Sequence, residues 1–446
     1  MGGGLLQLVA YGIQDVQLTG NPEITYFKTV YRRYTNFAIE HIKQTFLNTV
    51  DETTESTTVT IIRSGDLMSN VWIESYFPSV TSTNTPTFMS WCNNTGHAYI
   101  EDCELLIGGS SIEKHNSLYL DINNEFTDID EKEQLGLNKH PNNLYMKNGT
   151  SNIAPELNLL IPLKFYFNQN YGQAIPLIAL QYHEVELKFK FRPLKKLLVS
   201  DKTCTDTITS PDTNLWVEYI FLDTDERKRF AQSTHTYLIQ QVQTSEKQLE
   251  TTNQINFHHP VKQLIWVITY ERNESSDITI EAADPTVFNA LKYNDSATLV
   301  VGTESVNGND YFNYQLNPTD VNHGITAKES GSCIYLNKTV DHFDTCTLKI
   351  NSYDRFESQK AIFFRYLQPL YYNKRIPKKH IYTYNFSLKS NEYQPYGTCN
   401  FSKIPQAIIS FNKIGTENAN RRIHIFAINY NLLVITNGMA GIRFAN

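Results

Sequence analysis

Three short stretches hold residue types that could do chemistry. His342-Phe343-Asp344 is a His-x-Asp triplet, and His380 or His424 could supply the distant third ligand of a facial triad for iron. His342 and Asp344 also share the parity of Cys346, Leu348 and Ile350, so the same residues read equally as the start of a strand. "DINNEFTDIDEKE" (121–133) is acidic and resembles a calcium loop, but Phe126 stands at loop position 6, where glycine is needed. The spacing therefore predicts a solvated acidic loop. His183-Glu184 is not a zinc motif, because Leu187 replaces the second histidine of His-Glu-x-x-His. The chain has no phosphate-cradling Gly-x-x-x-x-Gly-Lys, no Gly-x-Gly-x-x-Gly and no Gly-x-Ser-x-Gly elbow. A glycosidase carboxylate pair would come from separated strands, and nothing in the sequence favours one. The expectation is a chain with no metal, no cofactor and no catalytic residues.

The elements around these stretches are strands. In "PLIALQYHEVELKFKF" (176–191), Val185, Leu187, Phe189 and Phe191 alternate with Glu184, Glu186, Lys188 and Lys190, the mark of a half-buried strand with a solvated face. Further strand-like runs are "STTVTIIR" (56–63), "NVWIESYF" (70–77), "DCELLIGG" (102–109), "LLIPLKFYF" (159–167) and "LWVEYIFL" (215–222), separated by loops rich in Ser, Thr, Pro and Asn. "LDTDERKRFAQSTHTYLIQQ" (222–241) differs. Asp223 or Thr224 can cap a short helix there, at the midpoint of the chain, where a join between domains is expected.

After that helix the pattern repeats. "NVWIES" is echoed by "QLIWVIT" (263–269), and "CELLIGGSSIEKH" (103–115) by "CTLKINSYDRFES" (346–358) with Cys103 and Cys346 in step. "IPLIALQYHEVELKF" is echoed by "QPYGTCNFSKIPQAIISF" (394–411), and "WVEYIFL" by "IFAINYNLLVI" (425–435). Four echoes in one order, offset by roughly 190 to 240 residues, point to two copies of one all-β unit. Each copy has roughly 200 residues and about eight strands, which fits a jelly roll. A chain of 446 residues is too long for one ordinary core, in keeping with more than one unit.

Composition narrows the function further. The net charge of -7 lacks the basic footprint of a nucleic-acid binder, so no specific nucleic acid is expected. The basic runs "YRRY" (31–34) and "NKRIPKKH" (373–380) read as solvated loops. Six cysteines without a Cys-x-x-Cys pair, several in apolar runs, read as buried free thiols of a reducing compartment. The opening lacks a secretory signal, Leu6 stands where myristoylation wants Ser or Thr, and no apolar run is long enough to cross a membrane. Asn-x-Ser/Thr triplets begin at Asn93, Asn148, Asn273, Asn294, Asn337, Asn385 and Asn400, about as many as chance supplies in so Asn-rich a chain.

"GGLLQLVAYGIQDVQLTGNPEITYFKTVYRRYTNFAIE" (3–40) closely resembles the opening of the major capsid proteins of large icosahedral nucleocytoplasmic DNA viruses, the chlorella-virus, iridovirus and mimivirus-like set. The resemblance continues in "IPLIALQYHEVEL" (175–187), "VEYIFLDTDERKRFAQ" (217–232), "QPYGTCNFSKI" (394–404) and "NYNLLVITNGMAGIRFAN" (429–446), and is poor from about 270 to 345. It implies an all-β double jelly roll, two eight-stranded antiparallel sandwiches in one chain with few short helices. The implied divisions are an arm (1–25), a first jelly roll (26–222), a linker (223–240) and a second jelly roll (241–446). It also implies a homotrimer with a pseudo-hexagonal outline that tiles a virion capsid over an internal membrane, made in a host cytoplasm or viral factory. Partners would be the same chain, neighbouring capsomers and minor capsid proteins. The arm would face the virion interior, where Leu5, Leu6, Leu8, Val9, Ile13 and Val16 could make an amphipathic segment docking on the capsomer base; an arm folded onto its own domain is the alternative. Loops 78–95 and 121–155 and the weak region would form outer towers, where the family often carries glycans. A minor capsid protein of the same fold, and a jelly-roll carbohydrate-binding protein or enzyme, are the competing readings.

Overall fold

The computed structural model describes residues 5, 8, 9, 19–47, 56–83, 89–92, 94–127, 153–200, 208–271, 278–279, 305–308, 311–312, 314, 341–413 and 421–444. Val185–Phe191 forms the expected strand, with Val185, Leu187, Phe189 and Phe191 buried and Lys188 and Lys190 exposed. Alternation of polar and apolar side chains lets one face of such a strand pack while the other meets water.

This strand lies in a sheet ordered Thr57–Thr60, Val185–Phe191, Ile100–Ile107, Ser110–Asn116. It packs on a second sheet ordered Phe37–Gln44, Asp212–Leu222, Leu67–Phe77, Ile175–Pro176, with Leu157–Pro162 also paired to Leu67–Phe77. The second half repeats both orders. One sheet runs Thr252–Ile255, Ala407–Lys413, Phe343–Ile350, Tyr353–Asp354. The other runs His235–Gln248, Arg421–Thr436, Pro260–Tyr270, Tyr382–Asn385. The ladders with a described register are antiparallel, as in sandwiches that fold back on themselves. The protein is a double jelly roll.

Each echoed segment occupies the equivalent strand in the two lobes. The correspondence reaches single residues. Cys103 lies in register with Phe189, and Cys346 lies in register with Phe411. Both thiols are buried, and burial pushes both well above the ordinary thiol range. They are inert wall residues rather than nucleophiles.

One expected parity fails. The register shifts between Phe343 and Thr345, so Asp344 is carried outward while Phe343, Cys346 and Leu348 face the core. A bulge inserts one residue and flips the faces before it relative to those after it.

The two lobes share a core. Pro260–Tyr270 is buried along nearly its whole length, on both faces. Leu264, Trp266 and Ile268 pack into the second sandwich, among Phe343, Phe364, Tyr382 and Phe411. Ile265 and Val267, on the opposite face, join the first lobe's cluster, as do Ile239, Phe426 and Leu433. Burial on two faces explains why "QLIWVIT" is a continuous apolar run and not an alternating one. Thr224–Gln232 is the expected helix between the halves, and Asp223 is its cap, its carboxylate accepting from Thr224 N at 2.8 Å.

Residues 19–37 belong to a separate unit, Met1–Phe37. Residues 21–36 carry no regular secondary structure, and Ile24, Tyr26, Phe27, Val30, Tyr31 and Tyr34 are all exposed, Phe27 to 99%.

Candidate functional site: the junction between the lobes

The acidic stretch is not a loop. Ser117–Phe126 is a helix, capped by Asn116 Oδ1, which accepts from Tyr119 N at 2.9 Å, and Asp121, Asn124 and Glu125 are buried in it. The rest of the 121–133 stretch, beyond Thr127, lies outside the described residues. By sequence alone the carboxylates look solvated, because the stretch is acidic throughout. The helix instead hides them, because the basic run 373–380 folds onto it. Lys379 Nζ donates to both oxygens of Asp121, at 2.6 and 2.7 Å, and sits 5.0 Å from the Phe312 ring centroid. Asn94 Nδ2 and Tyr314 OH donate to the same carboxylate at 2.7 and 2.8 Å. Lys378 N donates to Glu125 Oε2 at 3.1 Å, and Arg375 Nη1 to the Thr127 carbonyl at 2.6 Å. The buried Asp121 carboxylate is thus neutralised across the junction by Lys379, as buried charge requires, and backbone groups complete the contact between the two runs.

His183 is also part of this junction. Its Nδ1 accepts from Ala440 N at 3.1 Å, and the adjacent Tyr182 N donates to the Gly438 carbonyl at 3.0 Å. The hairpin formed by Arg421–Thr436 and Met439–Ile442 is thereby held to the first lobe. Gly108, on the first lobe, has φ +57°, and a Cβ there would collide with His183 Nδ1. Only glycine accommodates both the left-handed backbone and the imidazole above it. Gln241 Nε2 adds a bond to the Ile112 carbonyl at 2.5 Å, and Gln241 Oε1 accepts from Asn431 Nδ2 at 3.0 Å.

The facial triad does not assemble. His342 is buried, Asp344 is exposed, and His424 accepts or donates at Thr269 Oγ1, 3.0 Å away. His342 and His380 instead sit in a buried polar cluster. Asp341 Oδ1 accepts from Tyr382 OH at 2.8 Å and lies 3.6 Å from Arg365 Nη1 and 4.0 Å from His380 Nε2. Burial holds His380 well below the usual histidine range, with the Arg365 charge adding to the effect. Among the described residues no group of three or more His, Cys, Asp or Glu is placed to hold a metal ion.

Of the arm residues, Leu5, Leu8 and Val9 have helical backbone and are exposed, whereas Leu6, Ile13 and Val16 lie outside the described residues. Asn93, Asn148, Asn273, Asn294 and Asn337 also lie outside them. Asn400 is exposed. Asn385 is buried, its Oδ1 accepting from Ser390 Oγ at 2.6 Å and its Nδ2 donating to Gln368 Oε1 at 3.3 Å. The polar bridges of the junction were not found from sequence. Their one available signal was the opposite sign of the runs at 121–133 and 373–380.

A repeated pair of jelly rolls fused through one core defines a protein of the double jelly-roll class. Residues 25–223 match the major capsid protein N-terminus family, and residues 226–441 match the large eukaryotic DNA virus major capsid protein family. The chain belongs to this family of major capsid proteins. It is 33% identical to the major capsid protein of Pyramimonas orientalis virus and 33% identical to that of Paramecium bursaria Chlorella virus 1, each over the whole of both chains. It superposes on the crystal structure of PBCV-1 VP54 with a TM-score of 0.74 at 28% identity, covering 95% of this chain and 100% of that one. The Faustovirus major capsid protein, at 13% identity and a TM-score of 0.68 over 96% and 94% of the chains, shares the fold. The protein is a structural component of the virion capsid and not an enzyme.

Proposed function

We propose that three copies of the chain form a pseudo-hexagonal capsomer and that capsomers tile an icosahedral shell over an internal membrane. The observation that carries this reading is the repeated strand order in two lobes joined through a shared core. Three such chains around an axis present six similar lobes, so a three-fold assembly fills a six-fold outline. The exposed apolar and aromatic side chains of residues 24–34 support a segment that is covered on assembly. Within this reading residues 1–25 are the interior arm, with Leu5, Leu6, Leu8, Val9, Ile13 and Val16 meeting the capsomer base or minor capsid proteins. Residues 26–222 and 241–446 are the two jelly rolls and 223–240 the linker, whose last residues already begin the second lobe's strand His235–Gln248. A surface glycan, where one is carried among the described acceptors, belongs on exposed Asn400.

Light scattering on the purified protein tests the assembly. The expected mass is three times 51.4 kDa, about 154 kDa. A species that stays at 51.4 kDa at high concentration overturns self-assembly into trimers.

A further inference from the structure

A cavity of about 280 Å³ lies between the lobes. The first lobe contributes Asn123, Lys164 and Asn168, and the second contributes Lys262, Gln263 and Asn373. Among the described residues its wall contains two lysines and no carboxylate; the other titratable side chains there are Tyr119 and Tyr393. Lys262 is 4% exposed. Its Nζ donates to Gln240 Oε1 at 2.6 Å and to the Ser390 carbonyl at 2.8 Å, both neutral acceptors, and lies 5.9 Å from the Tyr430 ring centroid. Lys379, at the same junction, has Asp121; Lys262 has no such partner in this wall. A buried ammonium without a counter-charge is costly, and a nearby anion removes that cost. Amide side chains around the opening add neutral donors suited to oxygen ligands.

We propose that this interlobe cavity binds a small oxyanion, a phosphate- or carboxylate-bearing solute, with Lys262 as its charge partner. The anion would bridge the two lobes, contacting groups contributed by both. Burial pushes Lys262 down to about 7, so a bound anion must draw a proton onto it, and binding strengthens as pH falls through that value.

The test is thermal unfolding of the full chain in about 20 mM inorganic phosphate or citrate against chloride of equal ionic strength, at about pH 6 and about pH 9. The wild type is expected to gain about 2 °C or more at the lower pH and to lose the gain at the higher one. Phosphate carries more charge at the higher pH, so attraction to a permanent cation would give the opposite trend. Lys262→Met, which removes the buried charge and keeps the packing volume, is expected to show no gain at either pH. Non-specific salting effects of phosphate act on both proteins alike. A gain confined to phosphate or to citrate names the anion class. An equal gain in Lys262→Met, or none in the wild type at the lower pH, overturns the proposal. Calorimetric titration of phosphate into the wild type tests the same site without a variant: heat that saturates at about pH 6 and vanishes at about pH 9 is expected, and no saturable heat at the lower pH rejects the site.

Discussion

Asp121 and Lys379 form a two-pronged ion pair between a helix of the first lobe and a loop of the second, at 2.6 and 2.7 Å. The carboxylate is fully buried and takes two further hydrogen bonds, so all its charge is compensated inside the protein. Removing Lys379 leaves a fully buried, uncompensated carboxylate, whereas Lys379 itself is part-exposed. Lys379→Met is expected to cost about 3 kcal/mol or more of unfolding free energy. The double variant Asp121→Asn with Lys379→Met should recover most of that loss. Urea unfolding midpoints of the three proteins measure it, and a single variant within about 0.5 kcal/mol of wild type would mean the pair contributes little.

The wall strand gives a sharper contrast. Val185 is 2% exposed and points into the first sandwich, while Lys188 is exposed on the outer face. Val185→Asp buries an unpaired charge and should abolish soluble protein, whereas Lys188→Ala should be nearly silent. The amount of soluble, cooperatively unfolding protein from each variant is the readout. A normal yield from Val185→Asp would contradict the packing described here.

Acid should weaken the second lobe in a defined window. His424 is buried, and burial lowers it from 6.5 to about 4. The unfolded chain therefore takes up this proton before the folded chain does. Stability is full above pH 6.5, declines as pH falls below that value and has lost the whole contribution below about 4. The drop attributable to this residue is about 3 kcal/mol. His424→Gln should flatten the profile of urea midpoint against pH in that interval; an unchanged slope would assign the acid sensitivity to other groups.

Gly108 is held at φ +57° under the His183 ring. Gly108→Ala is expected to destabilise by about 2 kcal/mol or more, from backbone strain and from the methyl driven into the imidazole. Adding His183→Ala should relieve the clash but keep the strain, giving partial recovery. Melting temperatures of the single and double variants separate the two contributions, and no recovery in the double variant would exclude the steric one.

The repeat was readable because wall strands obey simple alternation, and because Cys103 and Cys346 occupy one register against Phe189 and Phe411. Val185–Phe191 was readable down to single residues for the same reason. Sequence reading failed where tertiary contact overrides local pattern. The 121–127 stretch looks like a loop by charge, yet its carboxylates are satisfied by residues about 250 positions away. Periodicity also cannot register a bulge, so Asp344 was placed on the wrong face. In the sequence His183-Glu184 shows only that it is not a zinc motif, and its bond to Ala440 spans 257 residues with no trace in either segment.

That last separation has a consequence for the order of synthesis. His183 and Tyr182 leave the ribosome well before the hairpin that grips them, and the gap of 257 residues takes roughly 10 to 50 seconds to translate. During that interval the first lobe carries an open docking site, with the imidazole above Gly108 lacking its mate. A ribosome that stalls in the second half releases a first lobe without its clasp. A chain that ends before Met439–Ile442 therefore lacks the backbone contacts that hold Tyr182 and His183.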